Sequence, residues 1–180
     1  SESQPVLMML YKRPDQRHPD DPVFDVLDGV LSAGRTSLLY QELVRDRRIA
    51  LAAGSAATFP AGKYPNAFFL YAVPNLGHTV QENEQAIEEI LNRLRREPVD
   101  EAMLARVKRN IRAGVIRSLA SNAGLARRLA WYHVNYGDWR MMFRGLELID
   151  KVTAEDIHRV VNTYFLPSQQ TVAYLVRPEE

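Results

Sequence analysis

From Thr79 to Tyr164 the chain carries only helical spacing, whereas every short run with strand character lies before that block or after it. Apolar residues recur there in steps of three and four. They are Ile87, Ile90, Leu91 and Leu94, then Leu104, Val107, Ile111, Val115 and Leu119, then Met142, Leu146 and Ile149, and last Ile157, Val160, Val161 and Tyr164. Such spacing lines one face of a helix and leaves the other to water. Thr79-x-x-Glu82 and Thr153-x-x-Asp156 predict helix starts, because each pair of side chains can satisfy free amides of a first turn. Asp100, just after Pro98, is a further candidate cap. Breaks are expected at Asn122–Gly124 and at Gly137–Asp138, with Leu129 and Tyr132 marking the helix between them.

Helices apolar on one side need something to cover. Strands are predicted over Pro5–Tyr11, Ile49–Phe59, Ala67–Val73 and Thr171–Val176, the middle two joined as a hairpin through Pro60-Ala-Gly62 and Pro65-Asn66. Lys12–Asp21 reads as a loop. Asp21-Pro22 reads as a helix start in which Asp21 caps, ahead of Val23, Val26, Leu27, Val30 and Leu31, with Gly34 ending the helix. A second helix follows from about Ser37, with Arg45, Arg47 and Arg48 at its C-terminal end, where cations complement exposed carbonyls. The pattern predicts an α+β fold: a mainly antiparallel sheet with helices packed on one face. Residues 1–180 read as one domain, excised from a longer protein, since Ser1-Glu2-Ser3-Gln4 has neither Met nor the pattern of an export signal.

Composition narrows the function. With 23 basic and 22 acidic residues and a net charge of +1, the whole domain has no footprint for nucleic acid or an anionic membrane. No apolar run approaches the roughly 20 residues of a membrane span, and no cysteine is present. The chain therefore reads as soluble, with cytoplasm and periplasm both open.

Local motifs for chemistry are sparse. His18, His78, His133 and His158 form neither His-Glu-x-x-His nor its inverse, so the two-histidine helical clamp for zinc is absent. His78 and Glu82 are four apart, but a helix-entry role explains them better than a metal, and His158 falls on the polar side of its helix as a solvated residue. Gly29 to Thr36 approaches a phosphate-loop spacing with Arg35 in place of lysine; yet Gly29 lies inside a helical pattern rather than after a strand, so a helix–loop–helix corner is the better reading. No Gly-x-Ser-x-Gly occurs. Trp131, Trp139 and Met141-Met142-Phe143 are expected in the core, and Arg106, Lys108, Arg109 and Arg112 on a solvated face.

Four stretches, in order, resemble one family. These are Leu31-Ser-Ala-Gly-Arg-Thr-Ser-Leu-Leu-Tyr-Gln-Glu-Leu-Val-Arg45, Pro98-Val-Asp-Glu-Ala-Met-Leu-Ala-Arg-Val-Lys108, Ser121-Asn-Ala-Gly-Leu-Ala126 with Tyr136-Gly-Asp138, and Val152-Thr-Ala-Glu-Asp-Ile157 through Tyr164-Phe-Leu-Pro167. They are similar to the C-terminal domain of M16 (pitrilysin, insulinase or mitochondrial processing peptidase-like) metallopeptidases. The resemblance implies a non-catalytic half that closes a chamber around an extended peptide. Its partner is a homologous N-terminal domain or subunit bearing zinc on an inverted His-x-x-Glu-His motif. Zinc is expected in that half and none in this one. The resemblance also implies a substrate-engaging arginine at Arg45 and a tyrosine seven residues later, where this chain has Ala52. That departure leaves open a degenerate, non-proteolytic assembly role.

Overall fold

The computed structural model describes residues 4–176, so Ser1–Ser3, read above as an excised start, lie outside the described residues. Strands β1 (Val6–Arg13), β2 (Ala50–Phe59), β3 (Asn66–Pro74) and β4 (Gln170–Leu175) form one sheet in the order β2-β3-β1-β4. All three pairings are antiparallel. Helix α1 (Asp21–Ser32) and a short π-helix (Tyr40–Asp46) separate β1 from β2. Helices α2 (Val80–Arg96), α3 (Glu101–Ser118), α4 (Asn122–Tyr136), α5 (Met141–Lys151) and α6 (Ala154–Tyr164) fill the predicted block. The fold is the expected α+β arrangement.

Helix starts follow local chemistry. Thr79 and Glu82 exchange bonds of 2.8 and 3.1 Å, and Thr153 and Asp156 make the same box at 3.1 Å. Asp100 accepts from the Met103 amide at 3.0 Å. The break expected at Asn122–Gly124 falls slightly earlier: Ser121 caps α4, accepting from the Gly124 amide, so those residues form its first turn. The π-helix closes a wider turn, its Arg47 amide reaching the Glu42 carbonyl five residues back.

β1 and α1 depart from the sequence reading. β1 runs on to Arg13, and Asp21 does not cap α1; Asp20 holds the cap position without a side-chain bond to the helix. The reason lies in Arg13. It follows Leu7, Met9 and Tyr11 on the inward face, and its side chain is fully buried. Its guanidinium lies 4.3 Å over the Phe24 ring, donates to the Ala57 carbonyl at 2.5 Å and pairs with Asp21. Burial outweighs the Arg13 charge and keeps the Asp21 pKa above its usual value. Asp20 instead receives Arg159 at 2.7 Å and the Tyr164 hydroxyl at 3.0 Å. Burial alone would raise its pKa; those two bonds more than offset that and hold it below the carboxylate norm.

The core lies between the sheet and the helices. Phe24, Phe68, Phe165 and Tyr11 are buried together, with Tyr11–Phe165 and Phe68–Phe165 ring centroids at 4.8 and 5.1 Å. Gly29 is where α1 meets α3: a Cβ there would stand 2.4 Å from a Val107 methyl. That close approach, not an anion, explains the glycine, and Gly34 at φ +79° makes the corner that follows. The stripe along α3 is buried only at Leu104 and Val107 and then runs off the core.

Arg13→Met should lower stability by about 3–5 kcal/mol, because it strands a buried Asp21 carboxylate. Arg13→Met with Asp21→Asn should recover much of that loss. Urea denaturation midpoints of the two variants measure both effects.

Candidate substrate-facing surface

Helices cover one face of the sheet and leave the other open. Strand alternation puts Met8 and Leu10 of β1 on the open face beside Tyr71 and Phe69 of β3, their register partners. From β2 come Ala52 opposite Val73, Gly54 opposite Tyr71 and Ala56 opposite Phe69. Phe59, Phe69 and Tyr71 stack in a row, with centroid spacings of 4.9 and 5.9 Å. Tyr71 lies across Gly54, where an added Cβ would sit 2.8 Å from its ring. Met8 and Phe59 are 39% and 43% exposed, so the surface is apolar and wet. β2 is an edge strand with no strand beyond it among the described residues. Its backbone groups there are of the kind that pair with an incoming extended chain.

Arg45 and Ala52 flank the entry to β2, one in the last turn of the π-helix and the other on the open face. Arg45 is half exposed and chelated by its neighbour: Nε and Nη2 reach the Asp46 carboxylate at 2.6 and 2.9 Å. Those bonds hold the Asp46 pKa below its usual value. A substrate carboxylate or carbonyl would have to displace Asp46 to use the fork. Ala52 offers no group that could polarise a carbonyl or stabilise an oxyanion.

Among the described residues, no group of three or more His, Asp and Glu side chains is placed to hold a metal ion. His78 Nδ1 lies 3.2 Å from Glu82, but the same Glu82 oxygen closes the cap on Thr79. His158 is not solvated as expected: its Nε2 sits 2.9 Å from the Arg95 carbonyl, tying α6 to the end of α2. The aromatic cluster expected in the core is also corrected. Met142 is buried, yet Trp131, Trp139 and Phe143 are 45%, 40% and 51% exposed: Trp131 is on α4, which buries none of its residues, Trp139 is in the connection to α5, and Phe143 is on the side of α5 away from Met142 and Ile149.

A second concavity of about 590 Å³ opens between α1, α3, α4 and α5, lined by Asp21, Asp25, Asp28, Tyr132, Tyr136 and Leu146 among others. Asp28 is satisfied by Ser55 and Ser32 at 2.5 and 3.2 Å. Asp25 opens into the cavity and keeps contact with solvent there; the cavity walls, with Asp21 and Asp28 nearby, raise its pKa above the usual carboxylate value. Its unfolded value is near 3.9. The folded state therefore holds this proton to higher pH than the unfolded chain does, so Asp25 lowers stability as pH rises above about 4. Asp25→Asn should therefore raise the melting temperature at pH 8 and leave it nearly unchanged at pH 4, as read by circular dichroism melts.

Comparison with known proteins bears on this geometry. A model of the family described as "Peptidase M16 inactive domain" matches residues 1–111. The zinc protease PqqE of Helicobacter pylori is 29% identical over 170 residues, which cover 92% of this chain and 36% of that protein. The crystal structure of a protease from Helicobacter pylori superposes with a TM-score of 0.89 at 26% identity, covering 96% of this chain and 41% of that one. The inactive peptidase domain from Bordetella parapertussis superposes at 0.83 and 18% identity, covering 99% and 96%. The chain thus spans about a third of the length of the zinc protease relative, and it belongs to the peptidase M16 inactive-domain family.

Proposed function

We propose that this domain is the non-catalytic half of a zinc-dependent M16-type peptidase, closing the chamber and holding an extended peptide while a homologous catalytic domain or subunit supplies the zinc. Residues 1–180 would then be one half-domain of a longer protein or assembly. The observation that carries the reading is the open sheet face: a row of stacked aromatics on β2 and β3 beside an unpaired edge strand. Such an edge binds peptide through main-chain bonds and reads alternate side chains through apolar contacts. Arg45, at the entry to β2, is positioned in sequence to meet a peptide carbonyl or terminal carboxylate once Asp46 gives way. Metal chemistry in this scheme belongs wholly to the partner.

Ala52 favours a second reading. Where the resemblance calls for a tyrosine, a methyl group offers no hydrogen bond, which suits a degenerate homologue acting in assembly rather than proteolysis. An intact His-x-x-Glu-His in the catalytic partner supports the first reading, and a decayed motif supports the second.

Hydrogen exchange on the chain mixed with an extended, unfolded peptide tests the first reading. Protection of the β2 amides over Ala50–Phe59 is the expected result, and Arg45→Ala should weaken binding roughly tenfold. Unchanged exchange along β2 at saturating peptide would count against it.

A further inference from the structure

The near-neutral total charge conceals a strong local imbalance. Between Ala102 and Leu146 stand nine Lys and Arg residues and one acid, Asp138, in a chain whose net charge is +1. Part of that charge meets acceptors: Arg112 pairs with Asp150 at 2.8 Å and Lys108 donates to the Asp150 carbonyl. Four of the other seven, Arg127, Arg128, Arg140 and Arg144, lie on α4 and the start of α5. Among the described residues, no carboxylate lies within ion-pair distance of Arg117, Arg127, Arg128 or Arg144.

Large apolar side chains interleave with these arginines. α4 contains no acid and buries no residue, and Val134 on it is 75% exposed. Helical spacing puts Arg127, Ala130, Trp131 and Val134 on one side of α4. Leu129, Ala130, His133 and Trp139 share a shallow depression. Phe143 continues it, 6.2 Å from Trp139 between ring centroids, and the Arg140 guanidinium lies 4.8 Å over the Trp139 ring.

We propose that this α4–α5 surface docks on an anionic lipid bilayer, lying at the interface rather than crossing it. Charge complementarity selects the occupant: α4 carries arginines, a tryptophan and aliphatic tips without an acid, Asp138 beside it is already held by Arg140, and the cationic excess that remains matches headgroup phosphates and the acyl boundary beneath them. Nucleic acid would use the arginines and stack on the exposed rings, but it gains nothing from the aliphatic tip of Val134. No described helix is long and apolar enough to cross a membrane, so contact is limited to the surface.

The chain has its own reporter, since its two tryptophans, Trp131 and Trp139, both lie on this surface. Vesicles of phosphatidylglycerol and phosphatidylcholine in equal parts, at low salt, should co-sediment the 180-residue chain and shift tryptophan emission to the blue. Pure phosphatidylcholine vesicles should do neither. Arg127→Glu with Arg144→Glu, both at exposed positions, should weaken binding about tenfold or more while leaving the melting temperature unchanged. Val134→Asp should diminish the blue shift. The proposal is overturned by no binding to anionic vesicles, by equal binding to neutral ones, by co-sedimentation without a tryptophan shift (docking through another face), or by capture on single-stranded DNA or polyglutamate without vesicle binding.

Discussion

A single buried guanidinium joins the layers of this domain. Arg13 ends β1 on the face where an apolar residue belongs by alternation, and it touches β2 through the Ala57 carbonyl and α1 through both Asp21 and the Phe24 ring. Phe24 in turn packs on Phe68 and Tyr164, which places β3 and the end of α6. Taking a charge out of water is costly, and burial keeps the Asp21 pKa raised even beside the Arg13 guanidinium. What the pair supplies is geometry: it ties the first turn of α1 to the end of β1. Asp20, one residue earlier, extends the same logic to α6 through Arg159 and Tyr164.

That arrangement fixes one face of the sheet and thereby frees the other. Tyr11, Glu88 and Gln170 close the inner polar contacts between β1, α2 and β4, with bonds of 2.6 to 2.9 Å. Helices α1, α2 and α6 pack on this side of the sheet, and Phe59, Phe69 and Tyr71 form their row on the opposite face. The proposed peptide-holding role uses this asymmetry: packing on one face leaves the other face and the β2 edge open. Water activation needs ligands converging on a metal or a base beside a nucleophile. The described residues bring together no metal-binding group, and Ala52 has no functional group to offer.

Much of this was legible in the sequence because it is local. The two capping boxes, the hairpin, the glycine corner at Gly34 and the helical stripes each depend on residues within a turn of one another. What escaped depends on distant parts of the chain. Arg13 looked like a loop residue, although the alternation through Leu7, Met9 and Tyr11 extends to it and could have flagged it. His158 looked solvated, because the Arg95 carbonyl it meets is 63 residues away. Trp131, Trp139 and Phe143 looked like core by residue type, and only their exposure in the folded chain shows otherwise. For Arg45 the sequence offers a helix-end cation and the resemblance a substrate contact; its place beside β2 and its pairing with Asp46 emerge only in the folded chain.

The division of labour is the central proposal: this half would hold substrate, and the chemistry would lie in a partner domain or subunit. Equilibrium dialysis of the chain against zinc, with metal read by atomic emission and peptide cleavage assayed on the same sample, tests it most directly. The account predicts substoichiometric zinc and no cleavage. One tightly held zinc per chain, with peptide hydrolysis that a chelator abolishes, would contradict it.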